Sequence, residues 1–268
     1  MIRLHDADRI RTITLDRPEA LNAFNEALYD ATTDALIDAA ADPGIAVVLI
    51  TGTGRAFSAG TDVAEMAEHG RGSATRGRHG FNGLVDELAA FPKPLVCVVN
   101  GLALGVGATM LGYADLVFMS TDARLRCPFT ALGVAPEAGS SFTFPLLLGR
   151  QRAAWVLMSS EWLTAEECVK IGLVWRTCAP DRLLPEATEY ARVLASKPLA
   201  SLIETKRTII SSSREAIAHA REREHQAFRR LLGGPANVEA LTALAARREP
   251  DFGTIDAQHP VVTSEHAT

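Results

Sequence analysis

IAVVLITGTGRAFSAGTD, residues 45–62, and PLVCVVNGLALGVG, residues 94–107, share one plan. Each opens on an unbroken apolar run, as expected of a strand buried on both faces. Each then enters a glycine-rich turn that introduces a helix start. Helix N-termini carry free backbone N–H groups that attract negative charge. Two such groups aimed at one point form an oxyanion hole. A single strand-turn-helix is commonplace; a pair in tandem is more specific.

Working outward, Ile10 to Leu15 is β-rich, with Arg11, Ile13 and Leu15 on one face, and Pro18 stops it. The spacing of Leu28, Ala31, Ala35, Leu36 and Ala39 predicts a helix over Asn22 to Ala41. Asp42-Pro43-Gly44 is a turn. A helix is expected from Asp62 to Glu68, then a basic, glycine-rich loop from His69 to Gly80, and a helix again over Asn82 to Phe91. Strands are expected at Leu95 to Val99 and Leu116 to Ser120. The repeated order strand, strand, helix predicts an α/β fold for residues 1–190. Residues 181–247 read as successive amphipathic helices, so 191–268 is expected to be a helical region involved in oligomerisation. Within Lys197 to Arg230, eight Lys/Arg against four Asp/Glu form a basic segment in a chain of net charge −5.

Composition narrows the function. The chain has 268 residues, 47% hydrophobic and 22% charged, which is ordinary for a globular protein and excludes disordered, collagenous and coiled-coil classes. An acidic balance argues against a dedicated nucleic-acid binder. Cys97, Cys127, Cys168 and Cys178 form no CxxC pair and read as reduced, packed thiols of a cytoplasmic protein. The uncharged run Leu95 to Tyr113 has the length of a membrane span. The turn signal Asn100-Gly101 and three further glycines favour a buried strand, a turn and a short buried helix. No apolar leader is visible. The common catalytic motifs fail: Gly105-Val106-Gly107 lacks the last glycine of GxGxxG, and there is no P-loop GK[ST], no GxSxG and no HExxH.

At this level the chain resembles the enoyl-CoA hydratase/isomerase (crotonase) superfamily. Arg17-Pro18-Glu19-Ala20-Leu21-Asn22-Ala23-Phe24 matches its opening, and FSAGTD and NGLALGVG match its two oxyanion segments. Leu163-Thr164-Ala165-Glu166-Glu167, Gly172-Leu173-Val174 and Arg248-Glu249-Pro250-Asp251-Phe252 follow in family order. The resemblance implies a spiral of ββα units, a helical C-terminal region and a homotrimer or dimer of trimers. It implies acyl-CoA substrates and no cofactor beyond the CoA of the substrate, with no metal, no nucleic acid and no membrane insertion. By that analogy the N–H groups of Thr61 and Val106 hold the thioester oxygen, and Leu21, Ala59, Gly60, Asp62 and Val63 meet the substrate. The acyl pocket walls come largely from residues 67–90.

The departures bear on the chemistry. Hydratases of this superfamily carry glutamates where this chain has Thr109 and Phe129. Hydration needs one group to activate water and another to protonate carbon. Glu137 instead stands in Leu132-Gly133-Val134-Ala135-Pro136-Glu137-Ala138-Gly139-Ser140-Ser141. This resembles the peroxisomal-type Δ3,Δ2-enoyl-CoA isomerase subgroup, in which that glutamate is the base. Apolar neighbours Val134, Ala135, Ala138 and Phe142 predict a desolvated carboxyl with a raised pKa. The expected reaction moves a double bond from 3-enoyl-CoA to trans-2-enoyl-CoA. Hydration, another crotonase-type reaction, or non-catalytic acyl-CoA binding are the alternatives.

Overall fold

The computed structural model describes residues 1–62 and 77–259. Beyond Asp62 the helix expected at Asp62 to Glu68 lies outside the described residues, as do Val63 and residues 69–76 of the expected His69 to Gly80 loop. A six-stranded sheet runs in the order β1 (Ile2–Ala7), β2 (Ile10–Leu15), β3 (Val47–Gly52), β5 (Leu95–Val99), β7 (Leu116–Ser120), β10 (Arg176–Cys178). Only the β1–β2 pair is antiparallel. A second sheet joins β4 (Ala56–Ser58), β6 (Leu102–Leu104), β8 (Arg124–Arg126) and β9 (Leu163–Thr164). Each of β3, β5 and β7 is followed directly by a short strand of the second sheet, so successive chain turns wind as a spiral.

The apolar runs are strands because both sheet faces are covered. Val48 and Ile50 of β3 and Cys97 and Val99 of β5 point into one core, beneath α1 (Glu26–Ala41) and α2 (Gly80–Ala90). The alternate residues Val47, Leu49, Val96 and Val98 enter a second core. Helix α3 (Val106–Thr109) follows β6, while α4 (Ser140–Leu148), α5 (Arg150–Ser159) and α6 (Ala165–Ile171) precede β10. Helix α7 (Leu183–Ala195) covers the second core with Leu183, Ala187, Ala191 and Ala195, spaced to share one face. The chain continues through α8 (Leu199–Ile210), α9 (Arg214–Leu231), α10 (Pro235–Ala246) and α11 (Phe252–Gln258). Among the described residues no helix is long and apolar enough to cross a membrane. All four cysteines are buried and unpaired.

One local expectation is corrected. Helix α1 starts at Glu26 rather than Asn22, because Leu21 and Asn22 take positive φ (53° and 55°) and Asn25 caps the helix by accepting from Leu28 N–H at 2.9 Å. The short strands β4, β6 and β8 escape the periodicity argument because three residues show no period.

Asn22 is fully buried and ties the opening segment to the first glycine turn. Its Oδ1 accepts from Arg17 N–H at 2.9 Å, and its Nδ2 donates to Thr53 O at 2.9 Å and Ala56 O at 2.8 Å. Asn22→Ala should therefore destabilise the protein by about 2–4 kcal/mol in chemical denaturation, since each buried group left unpaired costs about 1–3 kcal/mol. A loss under about 1 kcal/mol would contradict this role for the side chain.

Candidate active site

Strands β4, β6 and β8 are parallel neighbours, with Ala56 opposite Leu102 and Ala103 opposite Leu125. Their C-terminal ends therefore lie side by side, and the three segments leaving them meet at one sheet edge. The first carries Gly60 and Thr61, the second Gly105 and Val106, and the third runs through Phe129 to Glu137. Gly60 has φ +91°, and a Cβ there would stand 3.0 Å from Leu104 O. A Cβ on Gly107 would stand 2.6 Å from Ser58 O. Side chains at either position would force the turns apart. A Cβ on Gly105 would lie 3.7 Å from both Glu137 Oε1 and Gly60 Cα, so the carboxyl stands against the second turn, which itself abuts the first.

The amide directions follow from the pairing. Phe24 and Thr61 form a parallel bridge in which Phe24 N–H donates to Gly60 O at 2.7 Å and Asp62 N–H donates to Phe24 O at 2.8 Å. In that pattern the N–H of Thr61 faces away from Phe24. Val106 is the first residue of α3, where an N–H has no partner within the helix. Among the described residues, neither the Thr61 nor the Val106 amide has a protein acceptor. The Thr61 hydroxyl is engaged separately, 2.9 Å from Tyr29 OH.

Glu137 is half-buried on the wall of a cavity of about 380 Å³ that also touches Thr61 and Asp62. Its pKa is pushed up to about 7, chiefly by withdrawal from water and secondly by the negative charge of Glu224. Phe24 stacks on Tyr29 at 4.9 Å between ring centroids, and Tyr29 meets Phe81 edge-on at 6.1 Å, giving the cavity an aromatic wall. Helix α9 closes the other side with Arg221, Glu224 and Phe228. Arg221 is fixed to Asp86 of α2 at 2.6 Å.

The remaining predicted positions are placed as follows. Asp62 lines the cavity and pairs with Arg17 at 2.6 Å. Ala59 donates its N–H to Leu21 O at 2.9 Å, and Gly60 N–H donates to Ser58 Oγ at 3.1 Å. Thr109 and Phe129 are buried in the protein interior and do not line the cavity. Sequence reasoning passed over Tyr29, Phe81 and the α9 residues. Tyr29 sits on the buried stripe of α1 and carried a usable signal. Glu224 carried none, because one glutamate in a helix rich in charge looks like any solvated residue.

The chain matches the enoyl-CoA hydratase/isomerase family over residues 6–255. It belongs to that family. A 1,2-epoxyphenylacetyl-CoA isomerase of Escherichia coli strain K12 is 32% identical over 253 residues, covering 92% of this chain and 96% of its own. Enoyl-CoA delta isomerase 2 of Rattus norvegicus is 31% identical over 242 residues, covering 89% of this chain and 62% of its own. Among solved structures, enoyl-CoA hydratase EchA8_6 from Mycobacterium marinum is 61% identical with a TM-score of 0.76, covering 78% of this chain and 99% of that one. The fold is accordingly the crotonase α/β fold, and the chain is an acyl-CoA-processing enzyme of this family.

The Thr109 hydroxyl is buried without a hydrogen-bond partner among the described residues. Thr109→Val should raise stability by about 0.5–1.5 kcal/mol, because it removes an unsatisfied buried polar atom at nearly constant shape. Turnover should stay within ~3-fold of wild type, about 0.7 kcal/mol in the barrier. A larger loss of turnover would give that hydroxyl a part in the chemistry.

Proposed function

We propose that the enzyme shifts the double bond of 3-enoyl-CoA to give trans-2-enoyl-CoA, as the peroxisomal-type Δ3,Δ2-isomerase subgroup does. The observation that carries this reading is the carboxyl of Glu137, set against the second glycine turn and sharing a largely apolar cavity with Thr61 of the first. The thioester oxygen accepts from the Thr61 and Val106 amides. Glu137 removes a proton from the α-carbon, and the electron pair spreads into a dienolate whose oxygen the two amides hold. The protonated Glu137 returns the same proton to the γ-carbon. One carboxyl suffices because both carbons present one face of a planar dienolate. The substrate meets Leu21, Ala59, Gly60 and Asp62.

Two further observations favour isomerisation over hydration. Thr109 and Phe129, where the resemblance puts the hydratase glutamates, stand away from the cavity and carry no carboxyl. Glu224, a second carboxylate near Glu137, has both oxygens occupied by backbone N–H groups. Of the proteins described above, the Escherichia coli and Rattus norvegicus relatives are named isomerases, for different substrates, and the Mycobacterium marinum structure a hydratase.

Purified enzyme incubated with 3-enoyl-CoA and with 2-enoyl-CoA tests the reading, and isomerisation should exceed hydration by far. Comparable kcat/KM for the two would overturn it. Glu137→Gln should lower isomerisation ~10²–10⁴-fold, the usual worth of a positioned base. Acyl-CoA affinity should be nearly unchanged, since the amide keeps size and polarity. A variant retaining more than about a tenth of wild-type kcat would remove Glu137 from the base role. The base works ionised and its pKa is raised to about 7. Wild-type kcat/KM should therefore fall tenfold per pH unit below about 7 and level off above it. A plateau extending down to pH about 5 would contradict the raised value.

The proposed assembly is a homotrimer or dimer of trimers in the cytoplasm. Its support is exposed apolar surface: Val193 on α7, Ile209 on α8 and Leu244 on α10, joined by Trp155 and Met158 on α5. Light scattering should give about three or six times the 28.7 kDa chain mass. A stable, fully active monomer would sink this assembly.

A further inference from the structure

We infer that Glu224 is a positioning residue, which holds the turn carrying Glu137 and presents a fixed negative charge to its carboxyl. The inference rests on the reading of Glu137 as the base. Glu224 lies on α9, more than eighty residues away in sequence, and is 6% exposed on a helix whose other charged residues are mostly solvated. A buried carboxylate is costly unless its oxygens are satisfied. Both are: Oε2 accepts from Gly139 N–H at 2.6 Å and Oε1 from Ser141 N–H at 2.7 Å. These amides open α4, where negative charge is favoured by the helix dipole.

The turn needs holding. Ala138 has φ +58°, a conformation that costs a residue with a side chain on the order of 1–3 kcal/mol and persists only when its surroundings fix it. Gly139 follows with φ +69°. Tyr113 OH donates to Ala138 O at 2.6 Å, and the Ser140 hydroxyl donates to Glu137 O, also at 2.6 Å. Those bonds fix the carbonyls of the turn, while Glu224 fixes its amides. Between them the peptide planes on both sides of Ala138 are set, and with them the direction of the Glu137 side chain. Helix α9 is anchored in turn by Arg221, paired to Asp86.

Glu224 is not alone in the field at Glu137. Among the described residues, Arg221, His225 and Arg229 of α9, Glu26 of α1 and Asp62 line the same cavity. Behind Glu137 lie the Cys127 thiol and Tyr113 OH. Arg221 and Asp62 are already ion-paired. Glu224 is distinguished by being buried, hydrogen-bonded to the turn itself, and the charge that opposes ionisation of Glu137.

The test is a carbon-13 titration of glutamate carboxyls in the full-length protein, with the Glu137 signal identified by its loss in Glu137→Gln. In Glu224→Gln the Glu137 midpoint should fall by at least about half a unit, because the opposing charge is gone. kcat for 3-enoyl-CoA should fall ~10-fold or more with KM within ~3-fold, as expected for a group acting through the base. Glu224→Asp keeps the charge and should hold the midpoint near wild type while recovering part of kcat. If Glu224→Gln lowers only the melting temperature and leaves midpoint and kcat unchanged, the inference is overturned. If Glu224→Gln does not fold, Glu224→Asp decides. Its shorter side chain must release one of the two amides, so wild-type kcat and KM in that variant would also overturn the inference. The titration needs no substrate. A moved midpoint in an enzyme that does not turn over 3-enoyl-CoA would uphold Glu224 and reject the proposed reaction.

Discussion

Parallel pairing of β4, β6 and β8 fixes where the chemistry of this chain can occur. Parallel neighbours end at the same sheet edge, so whatever follows each strand is delivered to one place. Here that delivers the Thr61 amide, the Val106 amide and the Glu137 carboxyl, from segments about 45 and 30 residues apart in sequence. The strands are only three residues long, and their few ladder bonds would not hold them alone. Their registry is supported by the larger sheet, because β3, β5 and β7 lead directly into them and are buried on both faces.

The close approach has a second requirement, which is the removal of side chains between the turns. Gly60 and Gly107 stand where a Cβ would meet carbonyl oxygen at 3.0 and 2.6 Å. Asn22 and Asn100 then bind the freed backbone from outside. Asn100 accepts from Gly52 N–H at 3.0 Å and donates to Gly54 O at 3.0 Å. The site is thus rigid on the oxyanion side through backbone bonds. On the base side it is set by side chains reaching in from Tyr113, Ser140 and Glu224. A carboxyl held in this way, half-withdrawn from water, has a raised pKa, which suits the proposed proton transfer near neutral pH.

The legible parts of the sequence were those with long periods or family motifs. The two apolar runs, the stripe of α1 and the α7 helix each declare themselves through burial repeated over many residues. Glu137 was legible only through the segment around it, since nothing in a lone Pro-Glu pair predicts a cavity wall. Asn22 read as helix and is not, because a left-handed bend through Leu21 and Asn22 overrides spacing when a buried amide side chain holds it. Glu224 was illegible for a different reason. Its role depends on α9 folding back on α4, a long-range contact that no local pattern in a charged helix encodes.

Two amides and one carboxyl are proposed to converge on a single acyl group. A crystal structure of the Glu137→Gln variant with 3-enoyl-CoA bound tests it most directly. The thioester oxygen should lie about 3 Å from both the Thr61 and Val106 nitrogens, with the residue-137 side chain against the α- and γ-carbons. A thioester oxygen bound elsewhere, or an acyl chain with its α-carbon facing away from residue 137, would contradict it.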